Sequence, residues 1–175
     1  MSERSTFIPV PLDGYPPVVG AALWQMEDAR ERTVALIERI PDDAVDWRPG
    51  WSGNTIGTLL YHLAVIELDW LSLEILEEEP PLEFMRLFPF DGRDGSGHLT
   101  PVLGQTLDAH LARLHAVRAR FLYSMRGFTV EEYRRVRVLD RYDITPEWVI
   151  QHLNQHEGEH RGQIGEIAVA GGFLA

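Results

Sequence analysis

The sequence predicts an all-α protein, a four-helix bundle with a long crossover between its second and third helices. Three observations carry that expectation. Apolar residues recur in alternating steps of three and four over four separate stretches, the spacing that gathers one face of a helix. Thr-Pro pairs and Gly or Pro residues punctuate those stretches as starts and stops. Only a short run around Tyr133, Val136 and Val138 hints at extended structure, too little for a sheet. With 175 residues and 45% hydrophobic content the chain is long enough for one domain with a real core, taken as residues 1–175.

From Phe7 to Pro17 the prolines at 9, 11, 16 and 17 remove donors and fix φ, so this segment reads as an extended lead-in. The first helix is expected over about 18–40, where Ala22, Met26, Ala29, Thr33 and Ile37 share a face up to Pro41. A loop with Trp47, Pro49 and Gly50 follows. The second helix, about 54–79, opens at Asn54 or Thr55 as N-cap and carries Ile56, Leu59, Leu63, Ile66, Trp70 and Leu73 before stopping at Pro80-Pro81. Glu77, Glu78 and Glu79 oppose the helix dipole there, so the last turn is expected to fray. Pro80 to Leu99 reads as a long irregular connection packed by Phe84, Phe88 and Phe90.

Thr100-Pro101 looks like the start of the third helix, about 100–126, with Leu103, Leu107, Leu111, Leu114, Phe121 and Met125 buried and Gly127 at its end. Arg134, Arg135, Arg137 and Arg141 form the one basic cluster and read as a solvated face. Thr145-Pro146 starts the fourth helix, about 145–170, closed by Gly171-Gly172.

Charge narrows the function. Asp+Glu number 27 against 16 Lys+Arg, a net charge of −11, which lacks the basic footprint of a nucleic-acid binder. There are no cysteines, so thiolate ligands and a cysteine nucleophile are excluded and any metal must be held by imidazole or carboxylate. Met1 to Val10 has no apolar run of signal-peptide length and no later run is long enough to span a bilayer, so a cytoplasmic protein with no membrane partner is expected.

The fourth helix, read in three-four steps, gives Val149, Leu153, His156, His160, Gln163, Ile167 and Ala170. Its polar members stand where core is expected, and a buried imidazole without a partner costs on the order of 1–3 kcal/mol. Side chains at i and i+4 lie one above the other, so His156 and His160 can converge on one cation. His62, beside the apolar stripe of the second helix, is the expected third ligand across the core. His152 falls one step off the stripe and reads as flanking, His110 is a possible fourth contributor, and His98 and His115 read as loop and surface residues. Three histidines leave coordination positions open, as in catalytic zinc sites, so bound water or thiol would become a nucleophile near neutral pH. Glu157, Glu159 and Asp69 are candidate proton acceptors, each also readable as a surface charge. Zinc or nickel is the expected ion, with iron or manganese also compatible.

His156-Glu157-Gly158-Glu159-His160 also fits H-E-x-x-H, the helix signature of zinc metalloproteases with the glutamate as general base. The extended signature needs a further histidine where Glu166 stands, and none follows His160. Trp51-Ser52, the helix with Leu59, Leu60, His62 and Leu63, and the later His156, Glu157, His160, Arg161, Gly162, Gln163 and Ile164 together resemble the DinB-like superfamily, which includes YfiT-like proteins and thiol-dependent transferases. That resemblance implies a four-helix bundle holding one divalent metal on His62, His156 and His160, usually as a homodimer. It further implies a low-molecular-weight thiol as cosubstrate for a transferase-like reaction. The reading is therefore a metal-dependent enzyme, thiol S-transferase-like or hydrolase-like, acting on a small molecule. The alternative is a noncatalytic bundle in which the ion is structural or a ligand is merely bound.

Overall fold

The computed structural model describes residues 8–174, so Phe7, the first residue of the expected lead-in, lies outside the described part. The elements are α1 (Pro17–Ile37), a 3-10 turn (Asp42–Ala44), α2 (Ile56–Asp69) continued by a π-helical segment (Trp70–Leu76), and α3 (Leu82–Met85). There follow α4 (Leu107–Met125), α5 (Val130–Arg134), β1 (Arg137–Val138) paired antiparallel with β2 (Asp143–Ile144), and α6 (Pro146–Ala170). The four long helices make the bundle: α1 packs on α6 and α2 on both α4 and α6, while α1 and α4 lie farther apart and are joined by the side chains of Arg30 and Arg118. No helix among the described residues is long and apolar enough to cross a membrane.

The lead-in lies against α1 because residue 20 is a glycine: Leu12 N donates to Gly20 O at 3.1 Å, and a Cβ at Gly20 would meet Leu12 O at 2.7 Å. Thr55 is the N-cap of α2, its hydroxyl accepting from Thr58 N at 3.0 Å. The expected single helix to residue 79 is corrected at its C-terminal end. The backbone widens into π geometry from Trp70, and the chain leaves at Glu77, whose φ of 58° is left-handed. Tertiary demand explains the change: Arg137 donates to Ile75 O through both Nε (3.2 Å) and Nη2 (3.0 Å).

That contact also overturns the solvated reading of the arginine cluster. Arg137 is 1% exposed and donates further to Glu132 O and Arg135 O, whereas Arg134, Arg135 and Arg141 stay at the surface. The Thr100-Pro101 start is a second correction. Residues 100–106 are held in non-helical form by long-range bonds, Val102 N to Thr58 Oγ1 (3.1 Å) and Gly104 N to Asp46 Oδ2 (2.8 Å). Gly104 takes a φ of 73°, which ends any helix there. Thr106 is the true cap, accepting from Ala109 N at 3.2 Å, so Val102 is buried and Leu103 exposed, the reverse of the expected stripe. In the crossover, Phe88 is buried against the Tyr61 ring while Phe90 is half exposed, and Tyr61 Oη both donates to Phe90 O (2.6 Å) and accepts from Phe90 N (3.0 Å).

The core falls into two apolar clusters. One gathers Leu59, Leu63, Leu114, Val117 and Ile164; the other gathers Leu23, Met26, Leu71, Phe121 and Leu153. Between them lies a polar waist with one side chain from each long helix: Arg30 of α1, Glu67 of α2, Arg118 of α4 and Glu157 of α6. Arg30 Nε donates to Glu157 Oε1 at 2.7 Å and its Nη2 to Glu67 Oε2 at 2.7 Å; Arg118 Nε and Nη2 donate to Glu67 at 2.7 and 2.9 Å. Arg118 Nη2 also reaches Glu157 Oε2 at 3.3 Å. Two positive and two negative groups, all nearly free of solvent, compensate one another as burial requires.

Candidate metal centre

At the level of this waist, on the seam between α2 and α6, three imidazoles converge. His156 Nε2 lies 3.2 Å from His62 Nε2 and 3.1 Å from His160 Nε2, and the three nitrogens all fall within 4.8 Å of one another. A tetrahedral zinc with Zn–N bonds of about 2.0–2.1 Å sets its nitrogen ligands roughly 3.3–3.4 Å apart, so the donor set fits such an ion with little adjustment. The seam is antiparallel: His62 meets His156 and His160, while Trp70, farther along α2, meets Trp148 near the start of α6.

The rings are held neutral, with lone pairs free for a cation. Burial first, then the neighbouring His160 and the charge of Arg93, push His62 down to about 4. Burial, followed by His160 and His62, brings His156 to about 3. Burial also lowers His160, partly opposed by its bond to Gln163. His160 Nδ1 lies 2.9 Å from Gln163 Oε1, and a proton on Nδ1 leaves the Nε2 lone pair facing the other two rings. His62 Nδ1 is buried with no partner among the described residues.

The phase of α6 differs from the three-four reading at one fork. After Leu153 the buried stripe runs through Glu157, Ile164 and Ile167, and His156 and His160 sit at its flank, partly exposed, with Gln163 and Ala170 at the surface. The consequence is functional. The histidines border the seam and reach solvent, and Glu157, expected as a surface charge or a general base, is 3% exposed and engaged by Arg30 and Arg118. A carboxylate so occupied cannot serve as the base that the H-E-x-x-H reading requires.

The remaining candidates separate in the same way. Glu159 is exposed and accepts from Gln155 Nε2 at 2.8 Å. Asp69 is half-buried, and desolvation followed by the repulsion of Glu74 pushes its carboxyl up to about 6. His152 flanks the centre as expected, its ring 5.9 Å from that of His156 and stacked on Trp148 at 5.0 Å. His110 is not a ligand: it is buried on α4 with Nδ1 taken by Arg113 at 3.1 Å and Nε2 against Gly57. His98 and His115 are exposed.

Sequence reasoning missed several neighbours of the site. Trp70 and Trp148 stack 5.7 Å apart and, with Tyr142, Asp143 and Ile144, line a cleft of about 360 Å³ at one end of the seam. At the other end Trp51, Asn54, Leu59, Gln163 and Glu166 border a cleft of about 300 Å³. A cavity of about 410 Å³ between α1 and α4 includes none of the three converging histidines. Glu67 was legible in principle as the one Asp, Glu, Lys or Arg in α2 before Asp69, an anomaly that asks for a buried partner. A family model described as the DinB superfamily matches residues 25–164, which contain all three histidines and all four waist residues. No curated protein matches the chain.

Proposed function

Since the chain belongs to the DinB superfamily, we propose that it is a metal-dependent enzyme whose His62, His156 and His160 hold one divalent ion, zinc or nickel, beside a small-molecule cleft. The observation that carries this is the convergence of three neutral imidazole nitrogens, 3.1–3.2 Å apart along the chain of contacts, at a place open to solvent. Such an ion would supply a Lewis-acidic centre that favours the deprotonated form of a small thiol or of water. The chain's own residues do the rest. Gln163 orients His160, and His152 braces His156 against the Trp70 and Trp148 rings, where an apolar part of a substrate would lie. Asp69 is the carboxylate suited to take or return a proton near neutral pH, because burial has already moved it toward that range.

A catalytic reading is favoured over a structural staple by the waist. Arg30, Glu67, Arg118 and Glu157 already tie the four long helices together, so the bundle has a cross-link of its own at the level where the ion would act. The test is elemental analysis of tag-free protein and of His62→Ala, followed by assay against pairs of a small thiol and an electrophile. Wild type should carry about one ion per chain and the variant almost none. Unchanged metal content in the variant would remove His62 from the site. A metal-dependent melting temperature without turnover of any pair would favour the staple.

A further inference from the structure

The cleft of about 360 Å³ at one end of the seam is lined by Trp70, Tyr142, Asp143, Ile144 and Trp148. Aromatic residues make up 10% of the chain, yet they supply three of these five side chains. Three separate elements deliver them. Trp70 opens the π-helical segment of α2, Trp148 stands in the first turn of α6, and Tyr142 precedes β2, its carbonyl accepting from Leu139 N at 3.1 Å to close the hairpin. The rings are not spent on the core: Trp148 is 49% and Tyr142 44% exposed. Trp70, Trp148 and His152 brace one another with ring centroids 4.6 to 5.7 Å apart, so this wall stands ready-made. The charge at the cleft has one sign. Asp143 is the only ionic residue that lines it among the described residues. Tyr142 ties a second carboxylate to it: its Oη donates to Glu74 Oε1 at 2.8 Å, while Glu74 Oε2 is buried without a partner among the described residues. The arginines of the neighbouring hairpin are engaged elsewhere, Arg134 with Glu147, Arg135 with Glu77 and Glu132, and Arg137 with Glu132. Arg141, next to Tyr142, is exposed and does not line the cleft.

Aromatic faces with an acid on the same wall are the surroundings that hold a positive charge spread over methyl groups. We infer that this cleft binds the alkylammonium group of a small molecule, its methyl groups against Trp70, Trp148 and Tyr142 and its charge offset by Asp143. A compact primary ammonium fits less well, since its three donors need several acceptors in place of water and the cleft offers one lining carboxylate. A neutral hydrocarbon would lie on the same rings but gain nothing from the acids. The positive end of the α6 dipole works against a cation there; Thr145 blunts it, its hydroxyl accepting from Trp148 N at 3.2 Å. None of the three converging histidines lines the cleft, so binding there requires no ion at the centre.

The experiment uses the full chain at constant ionic strength with two probes of one shape, choline and its uncharged carbon analogue 3,3-dimethyl-1-butanol, read by calorimetry and tryptophan fluorescence. Wild type should bind choline roughly 5- to 30-fold more tightly than the alcohol, the range of a partly desolvated cation on aromatic faces. Trp148→Leu, which keeps an apolar surface without the π face, should erase most of that preference, and Asp143→Asn should reduce it several-fold. Both should leave the alcohol's affinity near that of wild type, and both positions are exposed, which keeps the fold out of the readout. His62→Ala should bind choline as wild type does. Equal affinities for the two probes in wild type would overturn the inference. A choline preference that survives both Trp148→Leu and Asp143→Asn would overturn it too, as attraction to the acidic surface alone. Loss of the preference in His62→Ala would place the cation at the histidine centre and take it out of the cleft.

Discussion

Replacing Glu157 by glutamine tests the polar waist and the rejected protease base in one variant. The wild-type carboxylate accepts from Arg30 Nε at 2.7 Å, Arg30 Nη2 at 3.1 Å and Arg118 Nη2 at 3.3 Å, with 4% of its side chain exposed. Glutamine keeps the shape but removes the charge, and its NH2 group would point donor against donor at a guanidinium. Arg30 then retains Glu67 and Leu114 O, and Arg118 retains Glu67, Met26 O and the half-exposed Glu27. One buried positive charge is left without its counterpart, a defect that costs about 3–5 kcal/mol when one member of a buried pair is removed. At about 2–4 °C per kcal/mol for a chain of this size, the melting temperature should fall by roughly 6–20 °C. Urea unfolding at matched m-values gives the free energy directly. Metal content of the folded variant should stay at one ion per chain, because Glu157 is bound on the core side of α6. A stability loss below about 1 kcal/mol would refute the uncompensated-charge argument. Loss of activity with stability unchanged would return Glu157 to the role of general base.

Other expectations follow from the same geometry. In metal-free protein the unfolded chain takes up protons near the ordinary histidine value of 6.5, while folded His62 and His156 stay neutral down to about 4 and 3. Stability should therefore be fully present above about 6.5 and fall as pH drops from there toward 4; a flat profile over that window, followed by urea titration, would contradict the burial of these rings. Glu67 works at the acid end: burial alone would raise it, but Arg118 and Arg30 hold it below the usual carboxylate range. Its contribution should be complete above the ordinary carboxylate value of 4.5 and be lost progressively as pH falls from there through the depressed value. Thr106→Ala should cost about 1 kcal/mol as loss of the true α4 cap. Thr100→Ala, whose hydroxyl has no partner among the described residues, should stay within about 0.5 kcal/mol, and the opposite ranking in urea midpoints would restore the Thr-Pro start.

Local signals in the chain determined a good deal. Periodicity specified four long helices and an all-α class, Thr55 and Thr145 marked real caps, and His156 and His160 at i and i+4 with His62 upstream named the converging set. These are properties of a residue and its near neighbours, and a helix face is set by spacing alone. What failed were features decided between segments distant in sequence. Thr100-Pro101 carries every local mark of a helix start, yet Thr58 and Asp46 take the backbone donors of Val102 and Gly104 and keep the segment open. Arg137 looked like one of four surface arginines until Ile75 O claimed it and the preceding turn widened to π geometry.

The choice at the fork of α6, where either His156 or Glu157 can follow Leu153 onto the core, has the same origin. It is settled by Arg30 and Arg118, on helices that are far away in sequence, because a buried carboxylate needs guanidinium partners that only the assembled bundle supplies. With Glu157 turned inward, the histidines are placed on the seam rather than in the core. The sequence alone thus named the side chains that could hold a metal; the packing of four helices around a shared set of charges decided that His156 and His160 stand partly exposed at the flank of the core.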